Sequence, residues 1–185
     1  AILAHGAGSS RASPRGEAFA ATLHRFGIGS MRLDLLTGDE AGRRELVFDI
    51  PLLADRLEAA IGLASGDPRF GGVPIVLVGA STGAAAALVA ASRRPGAVRA
   101  IVCRGGRVDL AGTTLDRVTA PTLLAVGEDD RVVLELNRTA SERLAGPKDL
   151  LVIPGATHLF AEPGALEEVA RHAARWILRY AAGRP

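Results

Sequence analysis

Cysteine is almost absent. Cys103 is the single one in 185 residues, so no intrachain disulfide can form. Aromatic side chains are scarce at 4%, which leaves alanine, valine, leucine and isoleucine to fill the interior and asks helices and strands to pack closely. Long hydrophobic runs are missing too. The strongest, Ile75–Gly79, is short and bounded by Pro74, far below membrane-spanning length. No signal peptide is recognisable, and the expected location is the cytoplasm. Charge of one sign is also lacking: the formal net charge is +2, and the basic residues are mostly scattered arginines. That pattern demands neither nucleic acid nor an anionic membrane as a partner. A starting methionine is absent as well. The chain opens on Ala1-Ile2-Leu3, and the expectation is that N-terminal strands of the sheet are missing.

What is present reads as one soluble domain over residues 1–185, 48% apolar and 23% charged, long enough to bury a sizeable core. Short apolar strands alternate with amphipathic helices. Strands are expected at Ile2–Ala4, Ile28–Leu33, Val73–Val78, Val98–Cys103, Thr122–Val126 and Leu150–Ile153. Helices are expected at Arg15–Phe26, from Pro51 onward, and at Thr82–Arg94, Val133–Leu144 and Pro163–Tyr180. Residues Leu35–Asp49 read as a polar, irregular excursion, and Arg104–Thr114 as a loop. Strand–helix alternation predicts an α/β fold: an open, mostly parallel sheet with helices on both faces and no separate lid domain. In such sheets ligands bind where strands end.

At the end of the best strand stands Gly79-Ala80-Ser81-Thr82-Gly83, followed by an alanine-rich helix. A Gly-x-Ser-x-Gly turn between strand and helix exposes the serine hydroxyl as a nucleophile and aims the next backbone N–H, that of Thr82, at a developing oxyanion. The plain alternative is a glycine-rich turn whose serine caps the helix. His158, in Pro154-Gly155-Ala156-Thr157-His158 beyond the last strand, is the expected general base. Of the four histidines only His5 and His158 follow strands, while His24 and His172 fall within helices. The turn Gly127-Glu128-Asp129-Asp130 offers the acid: Asp130 first, then Asp129, with Glu128 less favoured and Asp109 a distant alternative. The second oxyanion donor is expected from the loop His5–Ser10, with Ala7 as the choice and Gly6 or Gly8 if the register slips. A phosphate cradle is the rival reading of that loop, although it lacks the Gly-Lys-Ser/Thr ending. Arg104 and Arg107 flank a glycine pair beside the site. Either could bind a substrate carboxylate or phosphate, or form a salt bridge to Glu128, Asp129 or Asp109. No metal and no cofactor is called for.

Four segments, LAHGAGSSR, VGASTGAAAALVAA, PTLLAVGEDDRVVLELN and VIPGATHLF, resemble in order and spacing the oxyanion loop, nucleophile turn, acid turn and histidine loop of the α/β-hydrolase superfamily. The resemblance is to its dienelactone-hydrolase-like members. It implies a Ser81–His158–Asp130 triad, an acyl-enzyme and a small-molecule ester substrate, with thioesters and lactones as variants. Dienelactone hydrolases proper carry a cysteine where this chain has Ser81, so lactone specificity does not transfer. Similar hydrolase domains occur beside a phosphoribosyltransferase domain in one polypeptide, which would account for the abrupt start. Acyl transfer to an acceptor other than water, and a non-catalytic accessory domain, are the competing expectations. The sequence leaves the oligomeric state open.

Overall fold

A computed structural model describes residues 1–181 of the chain. Residues 182–185 of the expected domain lie outside the described residues. Six strands, β1 (Ile2–Ala4), β2 (Met31–Leu33), β3 (Val76–Ala80), β4 (Ala100–Arg104), β5 (Thr122–Gly127) and β6 (Lys148–Ile153), form one sheet in the order β2-β1-β3-β4-β5-β6. Every pairing is parallel. A parallel sheet needs both faces covered, and side chains alternate across it accordingly. Val76, Val78, Val102, Leu123 and Ala125 face one cluster with helices α1 (Pro14–Arg25) and α7 (Ala165–Ala181). Leu77, Ile101, Cys103 and Leu124 face the other with α4 (Ile50–Gly66) and α5 (Thr82–Arg93). Helix α6 (Arg131–Arg143) presents Val133 and Leu134 to Val126. Each fully buried Leu or Ile adds about 1.5–3 kcal/mol to these layers.

Helix α7 follows the stripe that its sequence announces: Val169, Ala170, Ala173, Trp176 and Ile177 are all buried. Ten consecutive residues of α5, Thr82–Ala91, are buried. Only small side chains let a helix pack this deeply against sheet and neighbouring helix at once.

Element boundaries differ from the sequence expectation where backbone donors are claimed elsewhere. The strand expected from Ile28 begins at Met31, because the Ile28 N–H donates to Leu23 O and finishes α1. The strand expected from Val73 begins at Val76 and runs on to Ala80. Pro74 has no N–H for the ladder, and the Val73 N–H closes a turn onto Phe70 O. The Leu35–Asp49 excursion is not irregular. It holds two short helices, α2 (Gly38–Ala41) and α3 (Arg44–Val47), the first started by a Thr37/Glu40 capping box. The loop expected at Arg104–Thr114 is largely a kinked 3₁₀ segment, Val108–Arg117, broken at Gly112. No helix among the described residues is long and apolar enough to cross a membrane.

Glu40 ties α2 to the body of the fold. Both its oxygens accept from Arg56 of α4, at 2.6 and 2.7 Å. These bonds, with the Thr37 N–H, hold the carboxyl down at about 2 from an ordinary 4.5. A depressed folded pKa adds stability above the unfolded value and loses it as pH falls toward the folded one. Denaturant unfolding of wild type and Glu40→Gln is therefore expected to converge as pH drops from 4.5 to about 2, with wild type the more stable above that window.

Candidate active site

Because all strands run the same way, the ends of β1, β3, β4, β5 and β6 deliver their loops to one rim. Ser81 stands between β3 and α5 with φ 50 and ψ −122, a left-sided conformation costly for a residue with a Cβ. It makes no side-chain cap bond to α5, so the capping alternative for this serine does not hold. Its backbone is clamped: the Ser81 N–H donates to Arg104 O at 3.3 Å, and Ser81 O accepts from the N–H groups of Ala84 and Arg107 at 3.1 and 3.0 Å.

The glycines of the motif are where backbone meets backbone. A Cβ on Gly79 would lie 2.4 Å from Ala84 Cα, and one on Gly83 would lie 2.5 Å from His5 O. Gly6 is pressed against the serine itself, since a Cβ there would come within 2.7 Å of Ser81 Cβ. The β1 loop thus lies directly against the Ser81 turn. His5 helps hold that loop: its Nε2 accepts from the Leu35 N–H at 3.2 Å, and Nδ1 lies 3.0 Å from Gly6 O.

His158 Nδ1 and Asp130 Oδ2 are 2.6 Å apart. Asp130 precedes α6 yet gives that helix no side-chain cap, because its carboxylate faces the imidazole. The other carboxylates weighed for this part are placed differently. Glu128 accepts the Gly155 N–H at 3.0 Å. Asp129 is exposed and its own N–H goes to Ala156 O. Asp109 makes a two-pronged pair with Arg107, at 2.9 and 2.8 Å. The histidine loop is buttressed by Thr157, whose hydroxyl donates to Glu162 at 2.6 Å.

One cavity of about 160 Å³ joins these parts. Ser81, His158, Arg104, Gly6 and Ala7 all line it, and Thr82 lies beside it on the wall of an adjoining cavity. Arg107 is turned toward Asp109 instead. A hydroxyl, an imidazole and a carboxylate, with backbone N–H groups at a helix start, are the parts that nucleophilic acyl transfer uses. Sequence reasoning missed Asn137. Fully buried, it donates to Gly106 O and Val133 O, both at 2.8 Å, and so pins the turn beneath His158. Nothing in its helical spacing distinguishes it from a packing residue. Arg15 also lines the cavity, and its place at the start of a helix does not distinguish it in the sequence from a solvated surface arginine.

Comparisons with known proteins agree with this architecture. Residues 1–179 match the sequence family described as an alpha/beta hydrolase domain. A dienelactone hydrolase from Anabaena variabilis superposes with a TM-score of 0.94 at 47% identity, covering 97% of this chain and 85% of that one. Est1E from Butyrivibrio proteoclasticus shares the fold alone, with a TM-score of 0.82 at 18% identity over 98% of this chain and 88% of its own. A curated protein of Mycobacterium tuberculosis, named "Putative phosphoribosyl transferase", is 50% identical over 182 residues. This chain is covered to 98% but spans only 41% of that relative.

The backbone contacts at Gly83 and Gly6 leave no room for a methyl group. Gly83→Ala and Gly6→Ala are each expected to lower unfolding free energy by about 1–3 kcal/mol, read by chemical denaturation, whereas Gly62→Ala, which meets nothing within 4 Å, should not.

Proposed function

The chain belongs to the alpha/beta hydrolase domain family, and we propose that it is a serine hydrolase acting on small carboxylic esters, with thioesters and lactones as variants. Ser81 is the nucleophile, His158 the general base and Asp130 the acid partner. The observation that carries the reading is the 2.6 Å contact between His158 Nδ1 and Asp130, made at a cavity that also holds Ser81 on its positive-φ turn.

In this mechanism the His158 Nδ1–H donates to the Asp130 carboxylate, which leaves Nε2 as the acceptor. The Ser81 oxygen attacks the ester carbonyl carbon while its proton passes to Nε2. The carbonyl oxygen, now an anion, is received by the Thr82 N–H and an N–H of the Gly6–Ala7 turn. Collapse expels the alcohol, which takes the proton from Nε2, and leaves an acyl-serine. Water then repeats the sequence and releases the acid. The strained turn and the clamp on Ser81 supply positioning before substrate arrives. The transferase name of the mycobacterial relatives we assign to the larger part of those proteins that this chain does not span.

Steady-state hydrolysis of nitrophenyl acetate and butyrate tests the roles. Ser81→Ala and His158→Ala are each expected to lower kcat by roughly 10⁴-fold or more. Asp130→Asn should be severely impaired and Asp129→Asn close to wild type. The opposite order for the two aspartates would move the acid role to Asp129, and unimpaired Ser81→Ala would end the serine mechanism.

A further inference from the structure

The cavity above Ser81 is lined by four arginines, Arg11, Arg15, Arg32 and Arg104, and among the described residues by no aspartate or glutamate. Arg11 is neutralised from outside, its Nε 3.4 Å from Asp34. Arg32 reaches back to the Arg11 carbonyl at 3.0 Å. Arg104 and Arg15 have no carboxylate within 4.0 Å among the described residues. Arg104 is the telling one. It stands at the end of β4, partly buried, its guanidinium 5.8 Å over the ring of Phe19. An aromatic face compensates a desolvated cation only in part. Burial first, and the like charge of Arg15 second, pull its pKa down to about 10. A partly buried guanidinium without a counter-charge, beside a second cation, is an arrangement that a bound anion relieves.

The remaining lining fits the same ligand. Ser9, Ser10 and Ser13 line this wall together with Arg15 and Gly16 of the first turn of α1, where Ser13 Oγ accepts the Gly16 N–H at 3.4 Å. Two guanidinium forks favour a compact dianion over a single carboxylate, because two free cations are balanced by two negative charges.

We propose that this side of the cavity is a subsite for a phosphate-type dianion, held by Arg104 and Arg15, so that the ester cleaved at Ser81 carries a phosphoryl group on its acyl or alcohol part. The reaction half of this statement rests on the serine hydrolase reading; the subsite does not. Inorganic phosphate is the first probe. Titration calorimetry on Ser81→Ala is expected to find one saturable phosphate site, weakened at least tenfold by Arg104→Met and by the exposed, structurally tolerant Arg15→Gln, with circular dichroism checking the fold of each. Turnover is the second probe, using three acetyl esters of matched size that end in a phosphate, a carboxylate or a hydroxyl. The phosphorylated ester should have the highest kcat/KM, and the phosphate-to-hydroxyl ratio should fall 10- to 100-fold in Arg15→Gln. Absence of phosphate binding, or binding unaltered in folded variants, overturns the subsite even if neutral esters are cleaved. Preference for the carboxylate ester overturns the dianion assignment. Phosphate binding without turnover of any ester upholds the subsite and counts against the hydrolase reading alone.

Discussion

The site depends on how closely one helix start approaches the sheet. At Gly79 and Gly83 the backbone of α5 meets β3 and the end of β1 with no space for a side chain. That approach forces Ser81 into its positive-φ turn and sets the Gly6 loop against it. The alanines that continue α5, buried without exception through Ala91, extend the contact along the helix. A composition poor in aromatics and rich in alanine is thus the composition that this geometry requires. Strain at one residue is tolerated because the surrounding backbone bonds from Arg104, Ala84 and Arg107 leave it no easier place to go.

Order along the sheet turns that one contact into a cavity. Strands β4, β5 and β6 follow β3 in sequence and in space, so the turns after them arrive beside Ser81 in succession. The β4 turn brings Arg104 and Gly105, on which His158 rests, since a Cβ on Gly105 would stand 3.0 Å from His158 O. The β5 turn brings Asp130 and the β6 turn brings the imidazole. Buried Asn137 and the Thr157–Glu162 bond then steady the turns from behind. Positive charge gathers around the same cavity, from Arg11 and Arg15 near the start of α1, Arg32 of β2 and Arg104 of β4.

Much of this was legible in the sequence because period and punctuation agreed. Six strands and the larger helices overlap the apolar runs that announce them, His158 meets Asp130, and Ser81 and His158 line one cavity. The misreadings have local causes. Thr37 and Glu40 form a capping box whose helix is too short to show a period, so the sequence of α2 looks irregular. Val73 and Ile28 look like strand residues, but their N–H groups close turns instead. The pairing of Arg107 with Asp109, and the lack of such a partner for Arg104, turn on rotamers and burial that spacing does not encode. Arg15 comes to the cavity only through the packing of α1 on the sheet.

Fold and family leave the reaction to be established at the site itself, and the central claim is that Ser81 is an activated nucleophile facing two oxyanion donors. A crystal structure of the protein after exposure to a small fluorophosphonate tests this most directly. The account predicts phosphorus bonded to Ser81 Oγ, its oxygen within hydrogen-bond distance of the Thr82 N–H and of the Gly6–Ala7 turn, and His158 Nε2 turned toward the serine. An unmodified Ser81, or an adduct at another residue, would contradict it.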